Sequence, residues 1–477
     1  MSQSLKHKAV KGTFWSTVER FSVQGILFVV MIVMARILTP ADYGLVGMLT
    51  IFIAVSQSLV DSGFSQALIR KQERTHTDNC TVFYFNIVVG LAFYLILFFC
   101  APLIARFYNE PALVPLTRVI SLSIVINSLV VVQRALYTVN IDFKTQAKAS
   151  LTAAIISGAV GITMAYTGFG YWAIVAQQLL NLGVNALLLW WFSSWRPGLR
   201  YSHSSFREFF GFGSKLAVSG ILDTVYRNVY LIVIGKIFSA SDLGYYTRAH
   251  QFSDFPSANL TGVLQRVTFP ILCSIQNDDK RLADVYRRFL RLSAFVIFPL
   301  MMGLSALSEP LIDLLLNPSW SFTATLLTIL CFAMMWYPIH AINLNLLQVK
   351  GRTDLFLRLE VWKKCIGVAI LCVTVPLGLV AMCAGSVLSS IISLIINTYY
   401  TGKMIGAGFF VQMRDLFPTL VVSLLMWCVA HFSAMLFDAS WLRLLIGTFS
   451  GAAFYAVVSV VTRAPELKEL TELMRRK

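Results

Sequence analysis

The chain has 477 residues, 57% of them hydrophobic and 13% charged, and its Lys and Arg outnumber Asp and Glu for a net charge of +16. A soluble globular protein carries about 25% charged residues, so this composition, with a mean hydropathy of +0.71, excludes an ordinary soluble domain. Apolar runs of roughly 20 residues, long enough to cross a bilayer, recur from end to end and describe a polytopic membrane protein.

Hydropathy and helix breakers predict about fourteen spans. Span 1, residues 13–38, follows Lys6, Lys8 and Lys11 and so imitates a secretory signal. Its apolar run from Phe14 to Leu38 is too long for a signal's apolar region, so it is expected to stay as the first transmembrane helix. It carries Glu19 and Arg20, and Thr13, Thr17, Arg20 and Gln24 make one polar stripe at helical spacing. Spans 2 to 6 are expected at 42–64, 80–105, 112–134, 148–167 and 170–192, with Asp61 in span 2 and Arg118 in span 4.

Span 7, residues 210–238, repeats the polar stripe with Lys215, Ser219, Asp223 and Arg227 at four-residue steps, which lets Asp223 and Arg227 pair along the helix. Spans 8 to 12 follow at 243–269, 289–308, 321–346, 358–377 and 379–401. They bring Arg248 and Asp254 in span 8 and His340 in span 10, beside Asn343. Pro270, Pro299, Pro338 and Pro376 interrupt these helices and offer points of bending. A last pair covers 416–437 and 441–462, and Pro465–Lys477 reads as a short amphipathic tail.

The loops alternate between basic and nearly uncharged. One side holds the N-terminus, Arg70/Lys71/Arg74, Arg134/Lys144/Lys148, Arg196/Arg200/Arg207, the arginines and lysine of 280–291, those of 350–364, and the C-terminal Arg475-Arg-Lys477. The other side offers only Arg36, Arg106, Lys236 and Arg443. By the positive-inside rule both termini are cytoplasmic. This asymmetry accounts for most of the net charge, so nucleic-acid binding is not needed to explain it. The eight cysteines lie in or beside apolar runs without any Cys-x-x-Cys pair or metal-site spacing, and are expected as buried small hydrophobes.

A ten-residue motif organises the chain: Ala35-Arg-Ile-Leu-Thr-Pro-Ala-Asp-Tyr-Gly44 returns two hundred residues later as Gly235-Lys-Ile-Phe-Ser-Ala-Ser-Asp-Leu-Gly244. Six spans separate the copies, an even number, so both halves enter the membrane in one orientation and the repeat is parallel. The expected fold is all-α and integral to the membrane. It has an N-lobe of six spans over 1–200, a C-lobe of six over 201–402, and a terminal pair with the tail over 403–477.

A charge near the centre of a membrane helix costs about 2.5–3.5 kcal/mol on translocon scales, so each one requires an explanation. At 1.5 Å of rise per residue, Arg20 and Lys215 lie roughly 8–11 Å from the cytoplasmic ends of their predicted spans, and Arg118 and Arg248 about 8–9 Å from the outer ends of theirs. Arg227 also falls in the outer half. Cations at both levels, on spans of both halves, point to a basic cleft; snorkelling of single side chains to the headgroups is the plainer alternative for each.

Several segments resemble a known family. Arg36-Ile-Leu-Thr-Pro-Ala-Asp-Tyr-Gly-Leu-Val-Gly-Met48 is similar to the end of the first helix in Wzx-type polysaccharide flippases of the MOP superfamily, and Asp61-Ser-Gly-Phe-Ser-Gln-Ala-Leu-Ile-Arg-Lys71 to their second helix and following loop. Arg196-Pro-Gly-Leu-Arg200 with Phe206-Arg-Glu-Phe-Phe-Gly-Phe-Gly213 resembles the start of their second half, and Arg266-Val-Thr-Phe-Pro270 with Ile275-Gln-Asn-Asp278 their eighth helix and loop.

The resemblance implies a bacterial inner-membrane transporter, not an enzyme. It would move a polyprenyl-pyrophosphate-linked oligosaccharide to the outer leaflet by alternating access, beside membrane lipid and in company with glycan polymerase machinery. Arg20, Lys215, Arg227, Arg118 and Arg248 are the expected substrate contacts, because basic groups in a partly dry cleft attract phosphate strongly. Asp223, Asp61, Asp254, His340 and Glu19 are candidates for support or for coupling to Na+ or H+, although no acidic cluster singles out such a site. No other cofactor is expected. The rival readings are a MATE-like multidrug exporter, which would favour acidic cavity groups over this excess of cations, and a membrane glycan polymerase or ligase, which would call for a larger outer loop than this chain has.

Overall fold

The computed structural model describes residues 3–61 and 63–469, without the side chains of 3–14, 61, 212, 215, 216, 218 and 219. Among the described residues there is no strand. Eleven segments are long and apolar enough to cross a membrane. Three more long helices, over predicted spans 7, 8 and 11, fall outside that set. Together these segments correspond to the fourteen predicted spans.

Two compact units are formed, Met1–Gly244 and Tyr245–Lys477. The boundary at 244 marks compactness, whereas the one near 200 marks the repeat, and the two divisions describe different things. In the first unit, helices α1 (Gln3–Ile37), α2 (Pro40–Asp61), α3 (Phe64–Arg70) and α4 (His76–Tyr108) are followed by α5 (Leu113–Ile120), α6 (Leu122–Ser128), α7 (Val131–Val139), α8 (Phe143–Tyr166) and α9 (Tyr171–Phe192). Helices α10 (His203–Arg227) and α11 (Val229–Ile237) complete it, and α12 (Ala240–Ser274) leads into the second unit.

Polar side chains set the helix starts. Thr75 and Asp78 cap α4 reciprocally, and the Asp142 carboxylate accepts the Thr145 N–H at the start of α8. The repeat motif turns out to be such a cap twice over. Thr39 N–H and Oγ1 donate to Asp42 at 2.9 and 2.7 Å, and Ser239 does the same to Asp242 at 3.1 and 2.7 Å. The shared Asp therefore starts α2 in one copy and α12 in the other.

Small residues let helices approach. Helix α8 turns Ala147, Ala153, Ala154, Ser157, Gly158 and Gly161 inward against α1 and α9, the packing expected where lipid removes the hydrophobic drive between helices. Large apolar side chains such as Phe99, Trp191 and Phe449 stand exposed; on a chain of this composition those faces meet hydrocarbon rather than water.

The second unit continues with α13 (Asp279–Ala306), α14 (Ser308–Leu315), α15 (Ser321–Met334), α16 (Tyr337–Val349), α17 (Thr353–Thr374), α18 (Leu379–Ile405), α19 (Phe409–Met435) and α20 (Ser440–Val461). Helix α13 packs along α19, α19 along α20, and α17 along α18. The prolines differ from one another. Helices α12 and α13 run through Pro270 and Pro299, whereas Pro338 opens α16 and Pro376 lies in the 3-10 turn after α17.

A proline removes the donor that its i−4 carbonyl would use. Tyr455 OH donates to the Phe295 carbonyl freed by Pro299, at 2.8 Å, and Ser257 Oγ to the Met334 carbonyl freed by Pro338, at 2.7 Å.

Span 4, expected as one helix, is three: α5, α6 and α7. Neither Pro nor Gly breaks it. The Trp190 indole N–H donates to the Leu129 carbonyl at 3.0 Å, holding the second break from a neighbouring helix. The cysteines also correct the expectation of burial. Cys80, Cys331 and Cys383 are buried, but Cys365, Cys372 and Cys428 are exposed on helix faces that no protein covers, where a small apolar side chain suits lipid equally well.

Candidate substrate-contacting residues

On α1, Arg20 is exposed and Glu19 half-buried. Glu19 turns into the first unit, where its carboxylate accepts from Ser150 Oγ at 2.7 Å. Ser150 in turn accepts from the Asn185 amide at 3.2 Å. The Asn185 carbonyl oxygen receives Arg134 at 3.5 Å, and Arg134 also donates to Asn127 at 3.0 Å. A polar chain thus runs through α1, α8, α9, α7 and α6. Arg134 was expected in a basic loop; instead it sits in α7 with its guanidinium turned to two asparagines. The chain was partly legible as uncharged polar positions inside neighbouring spans, Ser150 in span 5 and Asn185 in span 6.

On α10, Asp223 and Arg227 pair as their spacing predicts, at 2.7 Å, with 46% and 72% of their side chains exposed. The helix is interrupted immediately afterwards. Asn228 joins α10 to α11, and its side-chain amide donates to the Thr224 carbonyl at 2.8 Å. Lys215 and Asp61 lie outside the described side chains.

Arg118, on α5, stacks its guanidinium 4.5 Å from the Phe98 ring of α4, and its Nε has no hydrogen-bond partner. A cation over an aromatic face gains about 0.5–2 kcal/mol depending on solvation, so Arg118 is held while most of its donors stay available. Nothing in the geometry joins Arg20, Arg118 and Arg227 by direct contact.

In the second unit, Arg248 donates to Gln251 one turn along α12, and Asp254 is half-buried on the same helix. His340 has both ring nitrogens occupied. Ser390 Oγ gives its proton to the Ala333 carbonyl, so it accepts from His340 Nε2 at 3.0 Å, and Asn397 donates to Nδ1 at 3.3 Å. This arrangement describes a neutral imidazole. Next to it is a buried polar knot: Gln412 bonds Asn343, Thr401 and Tyr286 at 3.0–3.1 Å, tying α19 to α16, α18 and α13. Only Asn343 of this group stood out in the sequence.

The basic side of the first unit is closed by charge. Lys71 Nζ lies 3.0 Å from Glu208 on α10 and 3.3 Å from Asp78 on α4, whose side chain is 2% exposed. The Glu208 carboxylate beside it holds the Lys71 ammonium above the usual lysine range, and Asp78 adds to the effect. Ser202 N–H reaches Thr81 Oγ1 at 3.1 Å in the same region. At the other end of α2, Gly44 and Gly244 each lie against a carbonyl of the opposite repeat copy, those of Ala240 and Pro40. Among the described residues, no group of three or more His, Cys, Asp or Glu is placed to hold a metal ion.

Residues 33–325 match a family described as polysaccharide biosynthesis protein. The lipopolysaccharide biosynthesis protein WzxC of Escherichia coli K12 is 26% identical over 88% of each chain. The succinoglycan biosynthesis transport protein ExoT of Rhizobium meliloti is 24% identical over 100% of this chain and 97% of its own. Among solved structures, the lipid II flippase MurJ in an inward closed conformation superposes with a TM-score of 0.76 at 16% identity, covering 94% of this chain and 99% of MurJ. An inward-facing multidrug MATE transporter of the MOP superfamily gives 0.63 at 15% identity, over 80% of this chain and 95% of its own.

Proposed function

We propose the following for a chain that belongs to the polysaccharide biosynthesis protein family, and that is a multi-pass membrane transporter of the MOP superfamily rather than an enzyme. Its cargo is a polyprenyl-pyrophosphate-linked oligosaccharide, carried from the inner to the outer leaflet of a bacterial inner membrane by alternating access of its two halves. Both termini are placed on the cytoplasmic side in this reading, which the positive charge of the loops supports.

The observation that carries this reading is the exposure of Arg227 and Arg20 on helices that otherwise run among apolar spans. A guanidinium facing hydrocarbon would be costly, so these groups face a wet, polar path. A diphosphate bearing sugars needs such a path, because its charges cannot be desolvated unassisted. Arg20 and Lys215 take the pyrophosphate or an acidic sugar from the cytoplasmic side, and Arg227, Arg118 and Arg248 receive it deeper or nearer the outer side. Coupling to Na+ or H+ runs through an acidic group; Glu19, which accepts from the neutral Ser150 hydroxyl that in turn accepts from Asn185, is the described carboxylate that suits it best.

The test is export of lipid-linked oligosaccharide by cells carrying Arg20→Ala with Lys215→Ala, together with mass spectrometry of lipid that co-purifies with the protein. Loss of export with normal membrane levels is expected. Full export by the double variant would sink the assignment, and drug export without glycan export would favour a multidrug carrier.

A further inference from the structure

Three arginines crowd the basic end of α13. Arg287, Arg288 and Arg291, with Asp284 and Val285, line a cavity of about 310 Å³. The opposite face of the same stretch is anchored by Leu282, Tyr286 and Leu290, all 0% exposed, so the arginines are fixed on a rigid scaffold. The apolar part of α13 begins directly after them, which sets the cavity at headgroup level. Each guanidinium is held by a carboxylate from elsewhere in the chain. Asp415 of α19 takes Arg287 through two bonds, at 2.6 and 2.7 Å. The other two depend on the segment that follows α20. Glu466 lies 3.3 Å from Arg291, and Glu469 lies 2.7 Å from Arg288.

The geometry points to a ligand. Two carboxylates three residues apart, on one short helical turn, span two neighbouring guanidiniums. Phosphate oxygens would offer the same guanidiniums an equivalent set of acceptors in fork geometry. Without the segment, Arg288 loses its carboxylate and Arg291 keeps only a 3.9 Å approach to Asp415. Basic pockets at this level of the membrane recognise phosphate-bearing headgroups.

We propose that Arg287, Arg288 and Arg291 form a binding site for a phosphate-bearing anion at the cytoplasmic face, with Glu466 and Glu469 of the C-terminal segment as its built-in competitor. Anion binding and docking of the segment exclude each other. None of its residues is among those assigned to the transport path above, and its measurement requires no transport.

The full-length protein is placed in vesicles of phosphatidylcholine alone, of phosphatidylcholine with phosphatidylglycerol, or of phosphatidylcholine with inorganic pyrophosphate in the buffer. Amide exchange of residues 464–469 and the phosphatidylglycerol retained in native mass spectrometry are read for each. Expected is a severalfold faster exchange of the segment with the anion. Glu466→Gln/Glu469→Gln should retain severalfold more phosphatidylglycerol, and Arg288→Ala/Arg291→Ala should retain none above background. Release by phosphatidylglycerol alone assigns the site to a lipid headgroup, and release by pyrophosphate as well assigns it to phosphates generally. Exchange that ignores both anions, with unchanged lipid retention in the Gln variant, overturns the proposal and leaves a static clamp.

Discussion

Gly44 lies so close to the carbonyl of Ala240 that a single added methyl would overlap it, and Gly244 stands in the same relation to Pro40. The two contacts are one contact seen from both copies of the repeat: position 44 meets 240, and position 244 meets 40. The Asp of each motif starts the helix and the Gly two residues later lets it touch its counterpart. A ten-residue similarity in sequence is therefore a reciprocal crossing in space.

Gly44→Val should force the α2 and α12 starts apart. Overpacking of this kind costs about 1–3 kcal/mol, and the loss should appear as a lower melting temperature in detergent. Gly25→Val is the control, since nothing lies within 4 Å of a Cβ placed at Gly25. Equal effects at the two sites would show that the crossing does not hold.

Asp223→Asn should leave stability nearly unchanged. The Asp223–Arg227 pair is more than one-third exposed on both sides, and such pairs contribute about 0–1 kcal/mol. Export of lipid-linked glycan by Arg227→Ala should nevertheless fall sharply at normal protein levels. An Arg227→Ala protein that exports normally would remove this residue from the path.

Lys71→Ala should destabilise more than Glu208→Ala. It takes the ammonium from the Asp78 carboxylate, which is 2% exposed and keeps the Thr75 N–H, and a lost hydrogen bond to a charged group costs about 1.5–3 kcal/mol. Because Lys71 gains its proton more firmly when folded, its contribution is complete below the ordinary lysine value of about 10.4 and fades only as pH climbs through the raised folded value. Denaturation midpoints of wild type and Lys71→Ala should therefore differ at neutral pH and converge at strongly alkaline pH.

Gln412→Ala should loosen the second unit, since its amide serves Asn343, Thr401 and Tyr286 together. The orphaned groups should cost about 1–3 kcal/mol, read as a lower unfolding temperature. Gln412→Glu keeps the shape but places a charge in the knot, and should be worse than Ala. A milder effect for Glu would mean that water reaches the site.

The spans were legible because crossing a bilayer demands a length and an apolarity that local sequence carries by itself, as Phe143–Tyr166 and Tyr171–Phe192 show. The Asp223–Arg227 pair was legible for the same reason, being set by spacing within one helix. What escaped depends on partners far away in sequence. Arg134 looked like any loop cation until Asn127 and Asn185 stood on either side of it. Lys71 looked like part of a positive cluster, but Glu208, 137 residues later, makes it a latch. The break in span 4 carries no Pro or Gly to announce it.

That break has a wider consequence. The carbonyl of Leu129 is claimed by Trp190, that of Met334 by Ser257, and that of Phe295 by Tyr455, each from a different helix. In hydrocarbon no water stands ready to take over such a carbonyl. The joints of this protein are thus specified by neighbours rather than by the helices that bend. A one-residue insertion in α9 would undo a joint in span 4 without altering a residue of span 4, so the helices are articulated as a set and cannot be re-registered one at a time.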